Sequence, residues 1–512
     1  MIKYKGKTLT AEQEEHINTI LSGDNYAIQA PPGSGKTFLL LALARKMSGY
    51  GLSVSFNKLL AIEASKKFTS AVTCKTGHAL AYGEVGHKYR KRLKKLTGKH
   101  LADSREIGDW QLYNSPSNKG YLILNTIRKY CYSSDQAITS RHLPRITILD
   151  NQNLEEMQED LVQHSNMIFQ EMQNLQSDLP ITHDVYLKTW ALSNPIINKD
   201  FIFFDEYQDS NPVIAQVIKN QSCQKIFVGD QFQQIYAWRG AVNALQEEAL
   251  AKLYITRSFR FGEAIASLTN QIIESYYPHK FHYVPFHGND DIQSEITYEP
   301  LSDIGCIICR TNKGVIGETI KALGKGDSVH ILGGIQPLTY LINSVFQLKI
   351  KGYTNHPDLF LFANYLDLKE YSDSPMGGDL KVVLKLIETY GRERLLNILE
   401  STLESPDEAD ITITTAHKSK GLEWSSVRLA NDFKTPTENY VPTQEETNIL
   451  YVAASRALHK LDLSDCTACL PTTFQQARNM QEERYIIEQE TNESFDKVVR
   501  SNIKDLQDDL PF

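Results

Sequence analysis

A glycine-rich segment near the N-terminus has the composition of a phosphate-binding loop. Residues 30–37 read Ala-Pro-Pro-Gly-Ser-Gly-Lys-Thr, after the short, partly apolar stretch Asn25–Gln29 and before an apolar run. Glycines let the backbone wrap around a phosphate, and the N-terminus of the following helix attracts the anion. The lysine can reach the β- and γ-phosphates, and the threonine hydroxyl can ligate Mg²⁺. The predicted cradle consists of Pro32, Gly33, Ser34, Gly35, Lys36 and Thr37.

A pair of carboxylates follows an apolar segment far downstream. Residues 203–209 read Phe-Phe-Asp-Glu-Tyr-Gln-Asp, and Ile202 extends the apolar run. This pattern predicts a central strand whose carboxyl end presents Asp205 and Glu206. In such a site Asp205 holds Mg²⁺ with Thr37, and Glu206 orients and deprotonates the attacking water. The chain is therefore predicted to bind and hydrolyse a nucleoside triphosphate.

Composition indicates an intracellular enzyme of several domains. At 512 residues, with 41% hydrophobic and 23% charged residues, the chain has enough sequence for three or four units. The longest strongly apolar run, Phe38–Ala44, is too short to cross a bilayer, and no signal-peptide core is evident. Seven cysteines, an odd number, favour reduced thiols and a cytoplasmic location. The net charge of −8 does not itself indicate a nucleic-acid binder, so local clusters of charged residues are more informative about such binding than the total charge.

Two Cys-x-x-Cys pairs raise the alternative of a zinc site. They are Cys306 with Cys309 and Cys466 with Cys469. Because Gly305–Arg310 is predicted to be a strand, residues three apart point to opposite faces, and no histidine lies close by in the sequence. We interpret all four as buried structural cysteines.

Further motifs mix amides, aromatics and arginines. The segment Gly229–Gly240 follows the apolar strand Lys225–Val228 and contains glutamines beside Tyr236 and Trp238. Glutamine can sense a γ-phosphate, and aromatic rings can stack on unpaired bases. Three more blocks follow, reading Ser-Phe-Arg-Phe at 258–261, Thr-Ala-His-Lys-Ser-Lys-Gly-Leu-Glu-Trp at 415–424, and Glu-Glu-Thr-Asn-Ile-Leu-Tyr-Val-Ala-Ala-Ser-Arg at 445–456.

The order and the residues of these blocks resemble the motifs of superfamily 1 helicases of the UvrD/Rep/PcrA type, and above all those of the helicase region of the F-box DNA helicase family. The resemblance extends from about residue 9 to 460. The stretch before Leu9 is too short for an F-box, so a ubiquitin-ligase role is not expected.

The resemblance implies a role for each nucleotide-site residue that matches a family motif. Gln13 reads the adenine edge, and Phe259, where tyrosine is more usual, stacks on the adenine. Gln233 senses the γ-phosphate and links it to DNA, while Glu423 lies near the ribose. The two remaining positions, Arg260 and Arg456, stabilise transition-state charge across an ATP cleft shared by two motor domains.

The resemblance also implies a set of DNA contacts. Tyr236 is expected to support Trp238, for which core packing is the alternative. Gly77 departs from the bulky residue usual beside the histidine, which weakens the expectation for that histidine. The expected DNA-binding residues are Phe56, His78, Tyr236, Trp238, Arg239, Thr415 and His417.

The implied fold class is α/β, with two RecA-like P-loop NTPase motor domains that each carry an inserted, mainly helical subdomain. The first motor domain is expected at 1–83 and 185–250, with its insert at 84–184. The second is expected at 251–335 and 410–470, with a short insert at 336–409 and a C-terminal helix and acidic tail at 471–512.

Two charged segments leave alternatives open. The basic run His87–Lys95 is either a solvated surface or a grip on a phosphate backbone. The ending Asp508–Phe512 resembles the acidic tip of bacterial single-stranded-DNA-binding proteins, and an ordinary disordered acidic tail is its alternative. If this ending acts as such a tip does, a protein that binds such tips is an expected partner.

The expected function is an ATP- and Mg²⁺-dependent 3′→5′ DNA helicase or translocase. It would move on single-stranded DNA and unwind partial duplexes or strip bound protein, in repair, recombination or phage-related DNA metabolism. The alternative is a DNA-sensing ATPase subunit that regulates a partner nuclease in antiphage defence. No membrane partner is expected.

Overall fold

A computed structural model provides the fold of this chain. The described residues are 3–4, 7–94, 96–109, 111–113, 115–144, 151–236, 245, 250–277, 283–354, 356, 359, 362, 364–373, 378–437 and 440–484. Among them, no helix is both long and apolar enough to cross a lipid bilayer.

Strands and helices alternate through most of the described chain. The strands are β1 (Lys3–Tyr4), β2 (Lys7–Thr8), β3 (Tyr26–Gln29), β4 (Gly51–Val54), β5 (Val72–Lys75), β6 (Phe201–Phe204), β7 (Gln224–Gly229), β8 (Ala251–Tyr254), β9 (Glu295–Thr297), β10 (Cys306–Cys309), β11 (Val329–Ile331), β12 (Ile411–Thr415), β13 (Trp424–Leu429) and β14 (Ala457–Asp462). The α-helices are α1 (Ala11–Ile20), α2 (Lys36–Ala44), α3 (Lys58–Lys67), α4 (Gly77–Glu84), α5 (Gly98–Ser104), α6 (Pro116–Tyr132), α7 (Asn151–Gln173), α8 (His183–Leu192), α9 (Pro212–Lys219), α10 (Glu263–Tyr276), α11 (Asn312–Lys325), α12 (Gln336–Lys351), α13 (Tyr365–Asp373), α14 (Gly378–Tyr390), α15 (Arg392–Glu400), α16 (Ala416–Ser419) and α17 (Gln444–Ala454). Residues 471–484 are also helical.

The first compact unit, residues 1–255 and 336–397, is built on a parallel sheet. Within the described residues its strand order is β5-β4-β6-β7-β3-β8, and every neighbouring pair is parallel. A parallel sheet buried on both faces needs strands that are apolar on both sides. The strand β6 meets this need, because Phe201 and Phe203 join one buried cluster while Ile202 and Phe204 join the other.

The helical insert of the first unit shares a core with one face of this sheet. That cluster combines Leu52 and Val54 of β4 with Leu122 of α6 and Leu161 of α7. The second cluster, on the other face, packs α1 and α2 against Ile28 of β3. The site-bearing ends of the strands are therefore supported by packed helices on both sides.

The second compact unit, residues 256–335 and 398–512, contains the other parallel sheet. Its described strands lie in the order β11-β12-β10-β13-β14-β9, again with parallel neighbours. Two parallel α/β sheets agree with the predicted pair of RecA-like domains.

The borders of the two units differ from the predicted domain bounds, which stay predictions. Residues 336–397, predicted within the insert of the second motor domain, lie with the first unit. The strand β8 pairs with β3 in the first sheet, so residues 251–255 lie with the first unit. Residues 398–409 lie with the second unit, where the backbone N–H of Leu403 donates to the carbonyl of Val329 at 2.8 Å. The placement of residues 251–255 and of residues 398–409 follows from backbone hydrogen bonds to strands that are distant in sequence.

Candidate nucleotide site and nucleic-acid interface

The loop between β3 and α2 has the backbone conformation of a phosphate cradle. Gly33 and Gly35 have φ angles of 71° and 79°, in the left-handed region that favours glycine. Gly35 is the N-cap of α2 and offers no side chain to its first N–H groups, which are the groups that bind anions at helix N-termini. The helix begins at Lys36.

The cradle contains a buried hydroxyl that a phosphate oxygen would suit. Ser34 is 1% exposed, and its Oγ atom has no hydrogen-bond partner among the described residues. An unpaired buried polar atom costs about 1–3 kcal/mol. A bound phosphate can satisfy this hydroxyl, so the loop fits the predicted ligand.

The Lys36 ammonium lies along the same loop. Its Nζ atom donates to the carbonyl oxygens of Ala30 at 3.1 Å and Pro31 at 3.4 Å. Burial raises the pKa values of the Asp205 and Asp230 carboxyl groups, and the charge of Lys36 opposes that rise in both. The structure therefore brings the predicted lysine and the predicted Mg²⁺ ligand into one electrostatic environment.

Asp205 and Glu206 follow β6 directly. The backbone N–H of Asp205 donates to the carbonyl of Val54 at 3.1 Å, and that of Glu206 donates to Asp205 Oδ1 at 3.0 Å. Burial, and then the charge of Glu206, raise the pKa of Asp205 to about 7, against the opposing effect of Lys36. A divalent cation at Asp205 would favour its charged form.

The available ligand groups suit a Mg²⁺ ion that is shared with nucleotide phosphates better than a cation that is ligated by protein side chains alone. Across the residues that the structure describes, no three His, Cys, Asp or Glu side chains gather as ligands. Mg²⁺ is usually held by one or two protein groups together with substrate phosphates and water. Asp205 and the Thr37 hydroxyl would be those groups.

Glu206 has an unusual backbone conformation. Its φ and ψ angles are 53° and 43°, in the left-handed region, and such a conformation costs a non-glycine residue about 1–3 kcal/mol. Its Oε2 atom accepts a hydrogen bond from Gln208 Nε2 at 2.5 Å. The strained position therefore has a side-chain partner on the adjoining 3₁₀ turn, Tyr207–Asp209.

Asp230 is a site residue that the sequence analysis did not identify. It is fully buried after β7, and burial raises its pKa. Its Oδ1 atom accepts from Gln29 Nε2 at 2.8 Å, and its Oδ2 atom accepts from Gln233 Nε2 at 2.8 Å. Its position at the end of an apolar strand, like that of Asp205, is the signal that could have found it.

Gln13 is bound to the cradle itself. Its Nε2 atom donates to the carbonyl of Ser34 at 3.2 Å, and its Oε1 atom accepts from the backbone N–H of Thr10 at 3.2 Å. With the bond from its own N–H to Thr10 Oγ1, Gln13 completes a capping box at α1. The side chain is 1% exposed, and its reading of adenine stays a prediction.

The second unit brings the remaining predicted nucleotide residues together. Arg260 Nε lies 2.9 Å from Glu423 Oε2, and Arg260 Nη1 donates to the carbonyl of Ser455 at 3.3 Å. Phe259 is 42% exposed, which leaves ring surface available for stacking.

Arg456 is more enclosed than its predicted role suggests. It is 1% exposed, with Nε donating to the carbonyl of Val452 at 2.8 Å and Nη2 donating to Ser455 Oγ at 2.8 Å. Ser455 thus contacts both predicted phosphate arginines. Their action on a γ-phosphate stays a prediction.

Two predicted DNA-contacting aromatics stack on each other. The ring centroids of Phe56 and Tyr236 are 5.5 Å apart, with 14° between the ring planes. Phe56 follows β4 and Tyr236 follows the turn Gln231–Gln233, so the fold places them at one edge of the first sheet.

His78 lies in the same region and has an acidic partner. Its Nε2 atom is 3.2 Å from Asp184 Oδ1, and Tyr132 Oη donates to Asp184 Oδ2 at 3.4 Å. Phe56, His78, Tyr132 and Asp184 line a common cavity of about 250 Å³. Asp184 and Tyr132 were not predicted, since nothing in their local sequence marks them.

Of the other predicted DNA-binding residues, two lie at a short helix of the second unit and two lie outside the described residues. Thr415 is 6% exposed and caps α16, where its Oγ1 atom accepts from the N–H of Lys418 at 3.4 Å. His417 is half-buried on that short helix. Trp238 and Arg239 lie outside the described residues, as does Asp508–Phe512.

The basic run divides into structural and exposed residues. Tyr89 Oη donates to the carbonyl of Gln173 at 2.8 Å, and Arg92 Nη2 donates to that of Met172 at 2.5 Å, at the C-terminal end of α7. The exposed basic residues of the run are His87, Lys88, Arg90, Lys91 and Lys94. Their binding to a phosphate backbone stays a prediction.

The four cysteines of the paired motifs are all buried. Cys306 and Cys309 lie in β10, Cys466 is the N-cap of the 3₁₀ turn Thr467–Cys469 and Cys469 is its last residue, and all four are free thiols. Burial raises the pKa of Cys306, which disfavours the thiolate that zinc requires. Their burial agrees with the structural interpretation.

Family models match both parts of the chain. The model for the UvrD/REP helicase N-terminal domain matches residues 9–252, and that for the UvrD-like helicase C-terminal domain matches residues 355–468. The chain belongs to the UvrD-like helicase family. The glycine-rich loop, Asp205 and Glu206 all lie in the first matched region.

Two similar proteins are longer than this chain. F-box DNA helicase 1 of Gallus gallus is 29% identical over 503 residues, covering 88% of this chain and 48% of the relative. F-box DNA helicase protein 1 of Schizosaccharomyces pombe is 29% identical over 514 residues, covering 90% and 58%. This UvrD-like chain thus spans about half the length of these curated relatives.

Among solved structures, the arterivirus nonstructural protein 10 helicase in complex with DNA matches with a TM-score of 0.32 and 12% identity. That match covers 88% of this chain and 62% of the viral chain. A likeness this distant supports no argument about the site.

Proposed function

We propose that this chain is an ATP-dependent DNA helicase or translocase that moves 3′→5′ on single-stranded DNA. The observation that carries the proposal is the convergence of the cradle, Lys36, Asp205 and Glu206 at one edge of the first sheet. Family membership supports the same activity. Unwinding of partial duplexes and removal of bound protein are both consistent uses of such a motor.

The nucleotide-site residues receive the following roles in this proposal. Lys36 and the loop N–H groups bind the β- and γ-phosphates, and Thr37 and Asp205 hold Mg²⁺, which neutralises phosphate charge when bound. Glu206 orients the attacking water and accepts its proton. Gln233 responds to the γ-phosphate. For Gln13, Phe259, Glu423, Arg260 and Arg456, the roles rest on the family resemblance.

The proposed path of the DNA strand includes the cavity next to the Phe56 and Tyr236 rings. Aromatic stacking on bases contributes about 1–3 kcal/mol per base and tolerates any sequence. His78, which lines the same cavity as Phe56, would also contact the strand. Trp238, Arg239, Thr415 and His417 complete the proposed contacts on the strength of the resemblance.

Partners other than DNA rest on sequence alone. Asp508–Phe512 is proposed to bind a protein that recognises the acidic tips of single-stranded-DNA-binding proteins. A purified receptor for such tips that binds the full chain, and not a chain lacking these five residues, would support this proposal. Equal binding of both chains would refute it.

Strand displacement on tailed duplexes tests the main proposal. We expect ATP-dependent displacement with a 3′ tail and little with a 5′ tail. Lys36→Ala and Glu206→Gln should each remove DNA-stimulated ATPase activity, whereas Lys46→Ala, an exposed lysine just beyond the other end of the same helix, should retain it. Full activity of either site variant would refute the assigned site.

The same assay separates the alternative function. A DNA-stimulated ATPase without displacement on either duplex would favour a DNA-sensing subunit that regulates a partner nuclease. Displacement with only the 5′ tail would retain the helicase and reverse the proposed polarity.

A further inference from the structure

Gln208 joins two parts of the nucleotide site that are distant in sequence. It is fully buried in the 3₁₀ turn after Asp205 and Glu206. Its Nε2 atom donates to Glu206 Oε2 at 2.5 Å, and its Oε1 atom accepts from the backbone N–H of Asp230 at 3.0 Å. Both ends of one side-chain amide are therefore used, one on the proposed general base and one on the end of β7.

The path of hydrogen bonds continues to the proposed sensor. Asp230 Oδ2 accepts from Gln233 Nε2 at 2.8 Å. A continuous series of contacts thus runs from the Glu206 carboxylate through Gln208 and Asp230 to the Gln233 amide. Every member except Glu206 is at least 95% buried, so bulk water competes little for these bonds.

The conformation of Glu206 makes an anchor of this kind necessary. Its backbone adopts the left-handed region, which a glutamate occupies only when its surroundings hold it there. A general base must also be placed within hydrogen-bonding distance of the water that it activates. The Gln208 amide supplies a fixed donor to one carboxylate oxygen and leaves Oε1 for other contacts.

We propose that Gln208 is a positioning residue for hydrolysis, which holds the Glu206 carboxylate and ties its position to that of Gln233. The inference rests on the proposed function, since it needs Glu206 to act as the general base. When Gln233 shifts on binding a γ-phosphate, Asp230 and Gln208 transmit that shift to Glu206. In this role Gln208 acts through Glu206, to which it donates a hydrogen bond.

Two substitutions test this role. Gln208→Met keeps the length of the side chain but removes both hydrogen bonds. Gln208→Glu keeps an acceptor for Asp230 N–H but cannot donate to Glu206 and places a like charge beside it. For both variants we expect the turnover number of DNA-stimulated ATP hydrolysis to fall 10- to 100-fold, with the KM for ATP changed less than about threefold.

A double-mutant cycle tests the connection to the sensor. Gln208→Met and Gln233→Ala should show non-additive losses of turnover, because both interrupt the same path. Additive losses would overturn the coupling.

A buried glutamine away from the site provides the matched control. Gln221 is 6% exposed, accepts from the N–H of Ile197 at 2.8 Å, and donates to the carbonyl oxygens of Pro195 and Val217 at 3.0 and 2.7 Å. Gln221→Met should lower the unfolding temperature while retaining the wild-type turnover number. A Gln208→Met variant that folds and retains full turnover would overturn the inference.

The remaining outcomes are also decisive. If Gln208→Met does not fold, the nearly isosteric Gln208→Glu decides the question by the same two kinetic measurements. A rise in KM alone would assign Gln208 to nucleotide binding and refute the positioning role. Lys36→Ala distinguishes failure of the site from failure of the inference: its full activity would refute the proposed site itself, whereas its inactivity beside normal Gln208 variants would refute only the inference.

Discussion

Replacing Gly229 by alanine perturbs the Gln208 amide without changing any polar group in the site. Gly229 is the last residue of β7, and a Cβ atom added there would lie 2.0 Å from Gln208 Oε1 and 3.0 Å from Leu245 Cδ1. Real Cβ contacts essentially never fall below 3.0 Å. The Gln208 amide must therefore move away by about 1 Å or more, as neighbouring side chains do when a core is overpacked.

The size of the effect follows from that displacement. If the Gln208 amide moves by about 1 Å, a hydrogen bond of normal length that it makes becomes too long to stabilise the site. Because the obstructing atom ends a flexible side chain, we expect a loss of stability of only about 1–2 kcal/mol. A 1 Å error in a catalytic group can cost about 10²-fold in rate, or about 2.7 kcal/mol in activation free energy.

Steady-state ATPase kinetics with saturating single-stranded DNA provide the assay. We expect Gly229→Ala to lower turnover about 10²-fold with little change in KM for ATP, at a temperature where the variant remains folded. Gly305→Ala is the control, because the nearest neighbours of its added methyl group, Ser426 O and Oγ, would both lie at an ordinary contact distance of 3.6 Å. Wild-type turnover in a folded Gly229→Ala variant would refute the reasoning about Gln208.

Three further predictions concern stability and nucleotide binding. Arg92→Ala removes hydrogen bonds to carbonyl groups near the end of α7, so the free energy of unfolding in urea should fall by about 1–3 kcal/mol; an unchanged midpoint would contradict this. Burial lowers the pKa of Lys188 from 10.5 to about 8, so between those pH values the unfolded chain binds more protons than the folded one. The stability of the wild type relative to Lys188→Met should therefore rise with pH, by up to about 1.36 kcal/mol per pH unit. A difference in stability that does not change with pH would contradict this prediction. Gln13→Ala should raise the KM for ATP several-fold because it loses the bond to Ser34; Thr10→Ala breaks the same capping box and should leave that KM unchanged, whereas equal effects would assign Gln13 to helix capping alone.

Local sequence was sufficient to predict the cradle and the acidic pair. Gly33 and Gly35 are conformational requirements of the loop, and the apolar run at β6 places its following carboxylates at the strand end wherever the sheet lies. The α/β fold class was likewise predictable, because the motif blocks resemble those of UvrD/Rep/PcrA-type helicases and that resemblance implies it. The predicted domain bounds stay predictions. Local sequence does not reveal that β8 joins the first sheet, because β8 pairs with a strand more than two hundred residues earlier.

Groups whose role depends on distant neighbours could not be predicted. Asp184 reaches His78 across more than one hundred residues of sequence, and Asp230 acquires its role only because Gln29, Gln208 and Gln233 converge on it. A carboxylate or an amide is common in any sequence, and its local context does not reveal what it will meet.

The amino-acid sequence by itself determined which chemical groups are proposed to act on a phosphate. Glycine conformation, helix polarity and the ends of apolar strands are local properties, so Lys36, Asp205 and Glu206 could be assigned before any fold was known. Only the tertiary structure decided how those groups are connected. The left-handed backbone at Glu206 and the Gln208 bridge to Asp230 exist because adjacent parallel strands β6 and β7 end side by side. Such connections are properties of packing, since each hydrogen bond joins residues that have no fixed spacing along the chain.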